Sequence, residues 1–210
     1  MNPARPVTIG AGAGLPGLLT LPADAAGIVV FAHGSDSSRL SPRNQAVAVE
    51  LNRAGLATLL FDLLTGEEAA NRRNVFDIAL LAARLRAAAA WLPSQAPADI
   101  PLGLFGASTG AAAALVAAAD LGDRVAAVVS RGGRPDLAGE QLPQVTAPTL
   151  LIVGSRDEQV LELNRRAMDQ MTAEVELAIV AGAGHLFSEP GTLEEVAERA
   201  VAWFGARLPA

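Results

Sequence analysis

Short runs of β-branched and leucine-rich residues alternate along this chain with longer alanine-rich segments of helical period. The short runs at 18–21, 27–32, 57–61, 102–105, 125–129, 149–153 and 174–179 predict strands. The longer segments at 42–53, 75–92, 110–121, 160–171 and 193–207 predict helices. Ile28-Val29-Val30-Phe31 is apolar without interruption, as in a parallel-sheet strand covered by helices on both faces. Strand and helix alternate throughout, which predicts an α/β fold: a doubly wound, mostly parallel sheet with helices on both faces. No repeat or linker divides the 210 residues, so one domain over 1–210 is expected. Gly10, Gly12 and Gly14 lack the flanking strand and helix of a nucleotide loop, and 10–16 reads as a turn between early antiparallel strands. Trp91, Met168, Met171, Trp203 and Phe204 fall where core residues are expected.

Composition sharpens this mainly through absences. Hydrophobic residues make up 51% and charged residues 18%, enough to bury a sizeable core. The net charge of −6 argues against a nucleic-acid partner. No apolar run reaches the ~18 residues of a membrane helix, and no membrane partner is expected. Residues 1–6 contain no apolar stretch of signal-peptide type, so the expected location is cytoplasmic. The chain has no Cys, no Tyr and no Lys, so all 16 basic residues are Arg. Its only histidines are His33 and His185. Thiol nucleophiles, Schiff-base lysines, Cys-zinc sites and three-His metal sites are excluded, and neither cofactor nor metal is expected. Carboxylates, serines, arginines and at most two imidazoles remain to carry chemistry.

Gly106-Ala107-Ser108-Thr109-Gly110 follows a predicted strand and opens a predicted helix. That is the context of a nucleophile elbow, with Ser108 at its strained tip. Glycines two before and two after the serine remove the clash at the turn, and the helix start offers free N–H groups to a developing negative charge. A glycine-rich turn with an incidental serine is the plainer alternative. Ser108 needs a base, and both His33 and His185 follow strands at the same sheet edge. Asp157, after the 149–153 strand, is the candidate acid to orient the imidazole. It is also a natural N-cap for the next helix. Asp136 is the reserve acid and Glu158 a weaker one. The oxyanion donors are expected to be the backbone N–H groups of Thr109 and Ser35. Asp36 either lies near the acyl site or is simply solvated.

The pieces His33-Gly34-Ser35 with Ser37-Ser38-Arg39, Gly106 to Gly110, Gly154-Ser155-Arg156-Asp157 and Gly184-His185 together resemble the α/β-hydrolase superfamily, specifically its dienelactone hydrolase-like family. The resemblance runs from about Gly27 to the final helix. It implies a Ser, Asp, His chain order, with Ser108 nucleophile, Asp157 acid and His185 base. It also implies that the histidine of the His33-Gly34 pair packs under the oxyanion loop and holds it. Dienelactone hydrolases proper use a cysteine nucleophile, whereas this chain has no cysteine and resembles a serine-nucleophile branch.

The implied function is a serine hydrolase cleaving carboxylic esters of small or exposed acyl substrates. A thioesterase, a lactone hydrolase or an acyltransferase would use the same residues, and a ligand-binding receptor on this fold is the non-enzymatic alternative. The stretch 130–147 is too short for a large cap domain, which favours an open site and short acyl groups. Arg39, Arg43, Arg72, Arg73, Arg131 and Arg134 recur near the functional edge. Surface pairing with partners such as Asp62, Glu67 and Asp136 is the plain account of them. Arg131, directly beyond a strand, is the main candidate for an anionic substrate group, with Asp36 and Arg39 as further candidates. The sequence leaves the oligomeric state open.

Overall fold

The alternation within each apolar run decides which helical layer its side chains meet. A computed structural model describes residues 3–10 and 14–208. Its strands are β1 (Arg5–Ile9), β2 (Leu15–Thr20), β3 (Ile28–Ala32), β4 (Ala57–Phe61), β5 (Leu102–Ala107), β6 (Val125–Arg131), β7 (Thr149–Gly154) and β8 (Val175–Val180). Its α-helices are α1 (Pro42–Arg53), α2 (Gly66–Ala70), α3 (Arg72–Val75), α4 (Ile78–Trp91), α5 (Thr109–Leu121), α6 (Glu158–Met168) and α7 (Thr192–Arg207). The strands form one sheet in the order β1-β2-β4-β3-β5-β6-β7-β8. β2 runs antiparallel to both β1 and β4, and the strands from β4 across to β8 are parallel.

β3 shows how sequence becomes packing. Ile28, Val30 and Ala32 point into one core with Leu81 and Leu85 of α4 and Leu115 of α5. Val29 and Phe31 point into the other, with Val47 and Leu51 of α1 and Trp203 and Phe204 of α7. A strand buried on both faces needs an unbroken apolar run, as this one has.

Departures from the expected elements have local causes. β1, expected before the 10–16 turn but given no bounds, is blurred by its exposure: only Ile9 is buried, and Pro6 is tolerated because the strand lies at the sheet edge. The turn expected at 10–16 joins β1 to β2, although residues 11–13, Gly12 among them, lie outside the described residues. The helix expected at 75–92 is α4, which starts three residues later at Ile78 because Asp77 caps it. Two short helices that were not expected, α2 and α3, precede it with caps from Thr65 and Asn71. α6 ends at Met168, whose side chain is exposed rather than in the core, whereas Met171 and Trp91 pack against it. Residues 135–144 form two short 3₁₀ pieces, broken at Gly139, against α5 and α6, and among the described residues no large cap covers the sheet edge. No helix among the described residues is long and apolar enough to cross a membrane.

The carboxyl ends of β3, β5, β6, β7 and β8 lead to His33, Ser108, the Arg131–Gly133 turn, Asp157 and His185 respectively. The first of these loops is tied down by its own imidazole. His33 Nδ1–H donates to the Gly34 carbonyl (2.9 Å), and Nε2 accepts the Leu63 N–H (3.1 Å), which fixes the neutral tautomer. Burial holds His33 below its ordinary value of 6.5, against the raising effects of the Gly34 hydrogen bond and the Asp62 charge.

Two outcomes follow from this packing. Phe204 is fully buried against the bare face of Gly103. Phe204→Ala should therefore cost about 3–5 kcal/mol in urea unfolding, and a loss under about 1 kcal/mol would contradict the assigned core. For His33, the unfolded chain binds a proton near pH 6.5 that the folded protein resists. Its contribution is thus complete above that pH and is lost as pH falls through the lowered folded value. Unfolding measured between about pH 7.5 and 5 should show a shallower decline in His33→Gln than in the wild type. An identical decline would rule out this linkage.

Candidate active site

The turn between β5 and α5 is built on two bare α-carbons. A Cβ on Gly106 would lie 2.4 Å from the Ala111 Cα, and one on Gly110 would lie 2.2 Å from the Ala32 carbonyl oxygen. With both positions bare, Ser108 takes φ 52° and ψ −123°, a conformation that costs an L-residue roughly 1–3 kcal/mol. Its main chain is held on both sides. Ser108 N–H donates to the Arg131 carbonyl (3.2 Å), and its carbonyl accepts from Ala111 (3.1 Å) and Arg134 (3.0 Å).

His185 is carried by the loop after β8, which is fastened to the loop after β7. Ser155 donates to Val180 (2.9 Å), Arg156 donates to Ala183 (2.9 Å), and the Ser155 hydroxyl accepts the Gly182 N–H (2.8 Å). The Glu189 carboxylate accepts the Gly184 N–H at 3.2 Å from each oxygen. That hydrogen bond, with backbone N–H groups of its own loop and the Arg156 charge, holds the Glu189 carboxyl below its usual range.

Across this junction, His185 Nδ1 lies 2.6 Å from Asp157 Oδ2. Asp157 does occupy the N-cap position of α6, which begins at Glu158, but its carboxylate makes no capping hydrogen bond and faces His185 instead. Asp136 turns both oxygens to Arg134 (2.8 and 2.7 Å), which raises the Arg134 pKa and removes the reserve acid. Glu158 is exposed. Asp157 is only 15% exposed and His185 is 40% exposed, a ring anchored at one nitrogen and open at the other.

Ser108 and His185 line one cavity of about 220 Å³, together with Ser35, Arg43 and Arg131. The Thr109 N–H occupies the first helical position of α5, where no carbonyl of its own helix can reach it. The Ser35 N–H, expected as a free donor, is instead directed at Thr109 Oγ1 (3.0 Å). That bond latches the loop after β3 to the serine turn.

Two substrate candidates lie outside the Ser108 cavity. The Arg39 main-chain N–H donates to Asp62 Oδ1 (2.7 Å) and its guanidinium pairs with Oδ2, so its charge is spent. Asp36 is exposed, sits 3.8 Å from Arg72, and borders a neighbouring cavity of about 270 Å³ beyond the His33 loop. Neither lines the Ser108 cavity. Arg131 does, and so does Arg43, which nothing distinguished from the other arginines of that edge. Glu189 also escaped notice, since its role depends on a loop that folds back five residues. Among the described residues no group of three or more His, Cys, Asp and Glu is arranged to hold a metal ion.

This arrangement can be set beside known proteins. The model of an alpha/beta hydrolase domain matches residues 25–203. A dienelactone hydrolase from Anabaena variabilis is 52% identical, with a TM-score of 0.93 over 97% of both chains. The esterase domain of a Rhodothermus marinus protein shares the fold at 24% identity and a TM-score of 0.77, covering 98% of this chain and 99% of that one. Two Mycobacterium tuberculosis proteins, from strains CDC 1551 and H37Rv, are 63% identical over 189 residues and are provisionally named phosphoribosyl transferases. The match takes in 90% of this chain but only 43% of their length, so the chain spans less than half of those relatives. With a family model over most of its length and a half-identical relative matched end to end, this chain belongs to the alpha/beta hydrolase family, in its dienelactone hydrolase-like group.

Proposed function

We propose that this hydrolase cleaves carboxylic esters of small or exposed acyl groups through an acyl-enzyme on Ser108. The observation that carries the proposal is the 2.6 Å contact of His185 Nδ1 with Asp157, made by a ring that shares a cavity with Ser108. An imidazole whose Nδ1–H donates to a carboxylate presents Nε2 as a proton acceptor, and the carboxylate stabilises the imidazolium that forms. Ser108 Oγ bonds to the ester carbonyl carbon as its proton passes to Nε2. The tetrahedral oxyanion then collapses, and the leaving alcohol departs with that proton. Water, deprotonated by the same nitrogen, releases the acid and restores the serine.

The Thr109 N–H, at the start of α5, is the first donor to the oxyanion. The Ser35 N–H is the second, shared with Thr109 Oγ1, because an anionic oxygen is a stronger acceptor than a neutral hydroxyl. The absence of a large cap among the described residues supports a substrate whose ester is reached from solvent. A second reading, hydrolysis of a cyclic ester, draws on the 52% identity to a dienelactone hydrolase. Ser108 would then open the ring and hold both halves of the substrate until water arrives. Thioesters, and transfer of the acyl group to an alcohol instead of water, would use the same steps.

A panel of short p-nitrophenyl esters, thioesters and lactones tests the proposal. Ser108→Ala should abolish turnover of whichever class the wild type accepts. Asp157→Asn should lose about 10⁴-fold in kcat, by leaving the imidazole in the wrong tautomer, while Asp136→Asn changes kcat little. Full activity in Ser108→Ala would reject the proposal, and a mild effect at Asp157 beside a severe one at Asp136 would reassign the acid.

A further inference from the structure

The guanidiniums of this chain usually find carboxylates: Arg39 pairs with Asp62, Arg84 with Glu68, Arg86 with Asp120, and Arg134 with Asp136. Arg43 and Arg131 do not. Among the described residues neither takes part in an ion pair or donates a side-chain hydrogen bond. Arg131 is only 8% exposed, and its Nε and Nη1 are buried with no acceptor, as is Nε of Arg43. Both residues line the Ser108 cavity, and no carboxylate residue lines it with them.

Burying an unpaired charge is costly, and placing a second like charge beside it adds repulsion. Losing a proton is the usual escape. Burial first and the Arg43 charge second do depress Arg131, to about 10, which still leaves it protonated near pH 7. The uncompensated pair therefore favours an anion in the cavity. Two facing positive charges are balanced by a dianion and only half balanced by a monocarboxylate. A phosphoryl monoester carries a charge of about −1.5 to −2 near pH 7, with three strong acceptor oxygens suited to guanidinium forks. Because Ser108 and His185 line the same cavity, an anion bound there would lie beside the ester being cleaved.

We propose that Arg43 and Arg131 form an anion subsite of the Ser108 cavity, which takes a phosphoryl monoester carried by the ester substrate. The proposal rests on Ser108 being the nucleophile of that cavity. It makes the arginine pair a determinant of specificity, holding the charged end of the substrate while the ester lies against the serine.

The wild-type protein supplies the first test. Labelling of Ser108 by a neutral fluorophosphonate is competed with phenyl phosphate or benzoate at matched ionic strength. Phenyl phosphate should protect at concentrations at least about tenfold lower, and equal protection by the two would overturn the proposal. The second test compares kcat/KM for short p-nitrophenyl esters whose acyl chains end in a phosphoryl, a carboxylate or a neutral group. The phosphoryl ester should lead the neutral one by at least about tenfold. Arg131→Met and Arg43→Met should each reduce that ratio, chiefly through KM, with partial recovery in Arg131→Lys. A ratio near one in the wild type, or a ratio unchanged in both Met variants, would sink the subsite. So would protection by phenyl phosphate without any preference for the phosphoryl ester, since the arginines would then hold only free anions. Should Ser108 neither label nor turn over esters, the hydrolase reading fails. Calorimetry of phenyl phosphate on wild type and Arg131→Met then decides the anion site: binding weakened about tenfold in the variant supports it, and no binding to wild type overturns it.

Discussion

Gly110 sits so close to the end of β3 that one added carbon would lie 2.2 Å from the Ala32 carbonyl oxygen, far inside van der Waals contact. The rest of the site depends on that approach. It brings the first turn of α5 against the loop after β3, so that Thr109 Oγ1 reaches the Ser35 N–H. Together with the equally close contact of Gly106 with Ala111, it forces Ser108 into left-handed backbone. The strain of the turn is borne by the two cores that fix β5 and α5, and by main-chain bonds from Ser108 to Arg131 and Arg134. A serine held this way has little freedom to relax, which is what a nucleophile placed by a rigid scaffold requires.

How much of this was legible in the sequence varies with the range of the interaction involved. β3 to β7 could be read because strands buried on both faces leave unbroken apolar runs, whereas β8, part-exposed at the other sheet edge, could be read from its aliphatic residues. The elbow could be read because steric exclusion of a Cβ leaves glycines at fixed spacing around Ser108. β1 left little trace, being an exposed edge strand with one buried residue. The break between α3 and α4 was obscured because the apolar period runs through Phe76 while the cap is set by Asp77. Asp157 appeared in sequence as either an acid or a helix cap, and only the position of His185 across the β7–β8 junction separates those roles. Ser35 was placed near the serine turn, but its hydrogen bond to a side chain on another element is a tertiary fact that no local pattern records.

Charge shows the same limit. With no lysine, every cation is a guanidinium, and sequence spacing does not say which arginines have partners. Arg39 stood behind Arg131 as a further candidate, yet Asp62 neutralises Arg39, while Arg131 is buried at a strand end with no acceptor for its Nε and Nη1. Family membership fixes the fold and the broad reaction class. The proposed substrate class rests on features the fold does not dictate: Ser108 at the elbow, no large cap among the described residues, and two unpaired arginines in the Ser108 cavity.

The central claim is that the elbow makes Ser108 the covalent nucleophile. The most direct measurement is intact-protein mass spectrometry after rapid acid quench of the wild type turning over p-nitrophenyl acetate, followed by peptide mapping. The account predicts one acetyl group per chain during turnover, located on Ser108. Turnover with no acetylated protein under conditions where deacylation is slowed, or an acetyl group mapped to any other residue, would contradict it.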